Sequence, residues 1–296
     1  MAVSFAGASL RDAILDGSTI RNSHATRTDL TGASLRGTNI SGADLSKANL
    51  TDADLEGATL RDVNLSGANL SGANLANANL ENAKLVDANL VSAKLHQVDL
   101  STADITGALV ERELSEDISQ AVKSHERWIR TKRESGERLI VEKADLTAVN
   151  LAGKDLSGAS FLAVGLTGAN FHGATLCLTD FTGSNLMRTN FANADLAGAR
   201  FNHCNLSGAN LGRANLDPTE MKDEKGNGTG RYFSSSLVGS NLNDANLTDA
   251  RLRDADLTNA SLLGATLKRT NFDNATLEGT GVDTASRQSI SSRTGT

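Results

Sequence analysis

Residues 40–75 read ISGADLSKANLTDADLEGATLRDVNLSGANLSGANL, with Leu or Ile at every position divisible by five: Ile40, Leu45, Leu50, Leu55, Leu60, Leu65, Leu70 and Leu75. Two residues before each stands a small side chain, as in Ala43, Ala48, Ala53 and Ala58, or at most Val63. The position between them is usually Asp or Asn, as in Asp44, Asn49, Asp54 and Asn64. The unit is therefore A(D/N)Lxx. A period of five fits neither the 3.6 residues of a helical turn nor the alternation of an ordinary strand, so each unit must be a short extended stretch followed by a bend. A fixed period of this kind marks a stacked architecture.

Outward from this stretch the same pattern runs from Leu10 to Ile105 with Ala25 as its only exception, resumes one residue out of phase from Leu146 to Leu216, and resumes again from Leu237 to Val282. These three runs hold 20, 15 and 10 units. With the small residue and the Leu pointing inward, the other three positions face outward. The second residue after the Leu is often Gly, as in Gly32, Gly37, Gly42, Gly57, Gly67 and Gly72, where tight bending costs least. In the second run Phe161, Phe171, Phe181, Phe191 and Phe201 replace Leu at alternate units. If four units close a coil, Phe161, Phe181 and Phe201 stack on one side and Phe171 and Phe191 on the opposite side, two facing ladders worth about 0.5–1.5 kcal/mol per ring pair beyond burial.

The small-Asx-Leu register, held over twenty consecutive units, resembles the pentapeptide-repeat family. The resemblance implies an all-β solenoid: a right-handed quadrilateral β-helix of about eleven coils spaced by roughly 4.8 Å, with one inserted amphipathic α-helix and one projecting loop.

Composition excludes several classes. Aromatic residues make up 3% of the chain and there is one proline, Pro218, so a conventional globular core is not expected. A net charge of -6 with 22% charged residues indicates neither a basic nucleic-acid-binding face nor an acidic disordered tail. Two cysteines, Cys177 and Cys204, fit a reducing compartment. Residues 1–10 lack the basic and apolar regions of a signal peptide, and no apolar run is long enough to span a membrane. The expected location is the cytoplasm.

Two interruptions separate the runs, giving segments 1–108, 109–140, 141–216, 217–231, 232–282 and a flexible tail 283–296. In the first interruption Leu114, Ile118, Ala121, Val122, His125 and Ile129 share one helical face. Ser115 to Ile118 is placed to start the helix, with Asp117 and Ser119 as alternative caps, and Gly136 to stop it. A helix of roughly four turns is expected, lying against one face or capping the first stack, with Trp128 as its anchor. The pattern His125, Trp128 and Gly136 running into Leu146 is similar to an insert of bacterial pentapeptide-repeat proteins, to which no activity attaches. The second interruption, Asp217 to Arg231, is polar and Gly-rich and reads as an exposed loop, with Tyr232 and Phe233 restarting the coil.

No chemistry-bearing constellation appears. His24, His96, His125, His172 and His203 are scattered, the cysteines are not at ligand spacing, and there is no nucleophile elbow or phosphate-binding Gly loop. The chain reads as a non-enzyme with no cofactor and no metal. Lys154, in a slot otherwise held by small inward residues, either snorkels out at a corner or meets an opening made by the helical insert. The function expected is a scaffold for an unknown protein partner, with no direct nucleic acid or membrane binding. Glu220, Met221, Lys222, Asp223 and Arg231 on the loop and Arg127 and Arg130 on the helix are the candidate partner contacts. The alternative implied by the family's quinolone-resistance members, whose projecting loops contact DNA gyrase, is a DNA mimic that binds gyrase and protects it against a topoisomerase poison. Against it, the acidic excess is confined to residues 1–108, where Arg21, Arg27, Arg36 and Arg61 interrupt the acids.

Overall fold

Each five-residue unit closes on itself with one backbone hydrogen bond, gives one further amide to its own Asx side chain and the others to units in the flanking turns. Around Leu45, the Ala48 N–H donates to the Leu45 carbonyl at 3.0 Å, and Lys47, the third residue of that turn, has φ 57°. Positive φ at this position alone is the type II pattern. The Leu45 N–H donates forward to the Asn64 carbonyl at 2.8 Å and the Asp44 N–H backward to the Ser23 carbonyl at 2.9 Å. Parallel pairs recur twenty residues apart, as in Asp44↔Asn64, Asn49↔Asn69, Asp54↔Asn74 and Thr59↔Asn79. The computed structural model, which describes residues 4–222 and 227–280, is thus a β-helix solenoid with four five-residue units per turn.

The bend slot is stricter in conformation than in sequence. Arg27, Lys47, Ser92, Leu178 and Arg188 occupy it with φ of 56–61°, as the glycines do. An L-residue there costs on the order of 1 kcal/mol, offset by the hydrogen bonds of the closed turn. The Asx slot has its own reason: its Oδ1 accepts the N–H two residues on, as Asp44 does from Ser46 at 3.0 Å and Asn64 from Ser66 at 3.1 Å. Asn side chains also bond along the stack, as Asn74 to Asp54 at 3.0 Å.

Inside, Leu and Ala alternate along each turn, with Ala53, Leu60, Leu70 and Leu75 all 0% exposed. At several places where Ser, Thr or Cys replaces Ala, the side chain donates to the carbonyl of a central residue in the preceding turn: Thr38 to Leu15 at 3.0 Å, Thr189 to Leu166 at 2.8 Å and Cys204 to Phe181 at 2.9 Å. No hydroxyl in these examples is left unpaired in a dry interior.

The chain divides into two compact units, Met1–Arg112 and Glu113–Thr296. The first is built wholly of pentads. In the second, helix α1 (Glu116–Arg130) leads into β1 (Ile140–Glu142), which pairs in parallel with β2 (Ser160–Leu162). Ser115 caps α1, its Oγ accepting the Ile118 N–H, and Glu116 and Asp117 at one end and Arg127 and Arg130 at the other complement the helix dipole. The C-cap is Thr131 rather than Gly136. Gly136 serves a different need: at φ 86°, any Cβ would press on the Ser124 carbonyl and lie 2.7 Å from the Trp128 nitrogen, so only glycine lets the returning chain lie on the helix.

Leu114, just before α1, and Ile118, Ala121 and Val122 of α1 pack into the same apolar cluster as Leu139, Val141, Leu146 and Val149, so the helix is packed within the second unit. Its anchors are the buried Val122 and His125, while Trp128 is only half-buried and stacks on His125 with ring centroids 5.5 Å apart. Lys154 is half-exposed and its Nζ lies 3.2 Å from Glu126 of α1, so the helix supplies the carboxylate that this misplaced cation requires. The phenylalanines form the two expected ladders. Phe161, Phe181 and Phe201 stack at 5.3 and 5.0 Å, Phe171 and Phe191 at 5.2 Å, and rings of the two ladders meet edge-to-face at 5.7–6.1 Å.

The segment expected as a loop is instead an antiparallel hairpin, β3 (Thr219–Lys222) with β4 (Gly228–Phe233). Tyr232 and Phe233 belong to β4 and do not restart the coil, which resumes at Ser235 and Ser236 where Arg200 pairs with Ser236. The second and third runs thus form one ladder, with a step of 36 residues in place of 20 at the hairpin. Asp223, Gly281, Val282 and the tail 283–296 lie outside the described residues.

Candidate functional site

The hairpin stands on the coil side carrying Leu178 and Gly198. A Cβ at Gly198 would meet Thr219 Cγ2 at 2.8 Å, Leu178 Cδ2 at 2.9 Å and the Phe233 carbonyl at 3.1 Å, so the strands rest directly on a glycine corner. Cross-strand pairing sets Thr219 against Phe233 and Glu220 against Tyr232, and a bulge follows Glu220. The Glu220 carboxylate accepts the Gly230 N–H at 2.9 Å, and the Met221 carbonyl accepts Thr229 Oγ1 at 2.9 Å. All six residues of β4 are exposed, Tyr232 at 64% and Phe233 at 37%.

This concentrates unusual surface in one place. Five of the eight phenylalanines are fully buried in the ladders and Tyr232 is the only tyrosine, so an exposed Tyr-Phe pair departs from the pattern of the chain. Of the residues expected to contact a partner, Glu220, Met221, Lys222 and Arg231 share this hairpin, while Arg127 and Arg130 are exposed on the last turn of α1. The sequence-predicted set is thus distributed over two elements. Tyr232 and Phe233, which it omits, are the hairpin's largest apolar groups; read as restarting the coil, they carried no signal of exposure.

The electrostatics of the first unit are those of paired, not aligned, charge. Arg36 lies 2.9 Å from both Asp54 and Glu56, Arg61 2.6 Å from Glu81, and Arg11 3.2 Å from Asp29. Partial burial pushes the Asp54 carboxyl up, but the Glu56 N–H and the Arg36 guanidinium outweigh it and hold the group below the usual range. Among the described residues no group of three or more His, Cys, Asp or Glu is placed to hold a metal ion, and no helix is long and apolar enough to cross a membrane. Burial pushes both cysteine thiols up to about 12, with Asp195 adding to the effect at Cys177, which makes them poor nucleophiles.

The pentapeptide-repeat family matches the chain in eight copies, over residues 4–42, 28–67, 38–75, 68–107, 144–183, 184–221 and 235–280. The matches span well over half the sequence, and the protein belongs to this family. Among solved structures, it is similar to HetL, a pentapeptide repeat protein involved in heterocyst differentiation regulation from the cyanobacterium Nostoc sp. strain PCC 7120. The identity is 26% over 92% of this chain and 88% of HetL, with a TM-score of 0.31. Full-length QnrB1, a plasmid-mediated fluoroquinolone resistance protein, aligns at 14% identity over 96% of this chain and 97% of its own, with a TM-score of 0.22. A thylakoid-lumen pentapeptide repeat protein of Arabidopsis thaliana aligns at 34% identity over 38% of this chain and 74% of its own, with a TM-score of 0.20. No curated protein sequence matches. With TM-scores this low, membership rests on the repeats themselves.

Proposed function

We propose that the chain is a non-catalytic scaffold of the cytoplasm that recognises a protein partner: a right-handed quadrilateral β-helix of about eleven coils that displays hairpin β3–β4 and helix α1 as its partner-specific elements. The observation that carries this reading is the exposed Tyr232–Phe233 pair, flanked by Arg231 and by the Glu220 carboxylate, on a hairpin seated on the coil. Aromatic and Arg side chains at a protruding edge are the residue types that dominate protein–protein contacts. The alternative, a DNA mimic directed at gyrase, requires a continuous acidic face, and Arg11, Arg36 and Arg61 interrupt that of the first unit by pairing with Asp29, Asp54, Glu56 and Glu81.

A photo-crosslinking residue placed at Thr229, exposed on the same strand, in cells of the source organism tests the proposal. One defined protein partner is expected, captured no longer by the double variant Tyr232→Ser, Phe233→Ser, whose melting temperature stays unchanged. Rescue of gyrase supercoiling from a quinolone by the purified protein would replace the scaffold reading with the gyrase reading. Its loss on deleting 217–231 would assign that contact to the hairpin.

A further inference from the structure

Helix α1 is pinned by a histidine with no spare capacity. The His125 ring is fully buried, and its Nδ1 accepts the Leu139 N–H at 3.0 Å, so the hydrogen of the neutral ring is on Nε2. Nε2 is buried too and meets no group at hydrogen-bonding geometry among the described residues. The segment after the helix lies back along it. Gly136 sits on the Ser124 carbonyl, the Glu137 N–H donates to Ser124 Oγ at 3.1 Å, and Leu139 reaches the imidazole. His125 therefore joins three pieces: α1, the returning segment 131–138 and the first coil of the second unit, where Leu139 and Val141 are buried with Val122.

The charged groups around the ring come from each of these pieces. Asp155 on the coil favours a proton on the ring, and Arg138 on the returning segment opposes one. On the helix itself Glu126 is engaged by Lys154, and Arg133 of the returning segment lies over the Trp128 ring, 5.3 Å from its centroid. Trp128 stacks on the imidazole. None of these groups gives a second proton on Nδ1 an acceptor, because that nitrogen faces a backbone donor.

We propose that His125 is a proton-operated latch: protonation at Nδ1 breaks the bond from Leu139, whose carbonyl is held in the coil by the Ser160 N–H at 2.9 Å, leaves a buried cation, and releases α1 with segment 131–138 from the coil. Release uncovers the apolar rim formed by Leu139, Val141, Leu146 and Val149. Burial holds the docked ring below the ordinary histidine range, with Arg138 adding and Asp155 opposing. The sign follows from linkage. The released ring titrates near 6.5 and the docked ring lower, so docking is fully favoured above about pH 6.5 and weakens up to about tenfold per pH unit below it, until the docked ring also protonates.

Hydrogen exchange of the full chain, corrected for intrinsic amide rates and compared between pH 8 and pH 5, tests the latch, with Trp128, the only tryptophan, as a fluorescent reporter. Opening of residues 114–139 is expected to rise about tenfold per pH unit below 6.5 while residues 161–201 stay protected. His125→Gln, whose Oε1 can accept the Leu139 N–H but cannot titrate, is expected to remove the dependence. Asp155→Asn, which keeps the Oδ1 acceptor but removes the charge that favours a proton on the docked ring, is expected to carry the rise in opening on to lower pH before it levels off. Equal protection of 114–139 at both pH values overturns the proposal. So does an unchanged transition in His125→Gln, or, should that variant not fold, an unshifted levelling-off pH in Asp155→Asn.

Discussion

Replacing Phe181 with Leu should destabilise the second unit more than the same change at Phe161, although both rings are 0% exposed and lose the same atoms. Leu fits the slot, since Leu166 and Leu186 hold equivalent central positions in the same coils. The difference lies in the neighbours. Phe181 stacks on Phe161 at 5.3 Å and Phe201 at 5.0 Å and meets Phe171 and Phe191 edge-on at 5.7 Å. Phe161 has two ring partners, Phe171 at 6.1 Å and Phe181. At about 0.5–1.5 kcal/mol per ring pair, two extra contacts make Phe181→Leu costlier by about 1–3 kcal/mol. Phe201→Leu, which also loses two ring partners, serves as a second reference. Urea unfolding followed at constant slope reads the difference as a shift in midpoint. Equal midpoints for the Phe181 and Phe161 variants, or a lower one for Phe161→Leu, would refute the ladder energetics.

Leu75→Lys should cost more than about 4 kcal/mol, because it puts an unpaired charge in a dry interior, whereas Asn74→Lys should stay within about 1 kcal/mol of wild type. Lys94 already fills the slot paired with Asn74 in the next turn, and thermal melts of the two variants separate the cases. Gly136→Ala should loosen the segment that lies on α1, seen as faster exchange at 131–139 with the pentads unaffected, since the new methyl meets the Ser124 carbonyl. Cys177 and Cys204 should resist iodoacetamide at pH 8 until denaturant is added. Their folded thiols, raised to about 12, stay protonated while unfolded thiols ionise, so stability is intact below about pH 8.5 and falls as pH rises from there towards 12.

The pentads were legible because inward Leu and Ala, Asx turns and bends each recur in fixed phase, and helix α1 because Ser115 and one apolar face define it. The hairpin was not. Gly230, Arg231 and Tyr232 mimic a small-x-apolar pentad that counts back by five from Leu237, and only the pairing of Ser236 with Arg200 shows that they stand outside the coil. The polar composition of Thr219–Lys222 likewise conceals a strand whose partner lies beyond the turn. An amphipathic face says that a helix docks without saying where. The clue was Lys154, whose need for a carboxylate is met by Glu126.

Hairpin β3–β4 interrupts the chain without interrupting the ladder, and excision of residues 217–232 would leave Phe233, Ser234, Ser235, Ser236 and Leu237 as one five-residue step after Leu216. The insertion is silent to the core. A corner of this kind behaves as a cassette site, where an inserted element can be exchanged, lengthened or lost while every inward residue keeps its neighbours. The surface displayed at this corner and the stability of the fold are therefore free to change under separate selection.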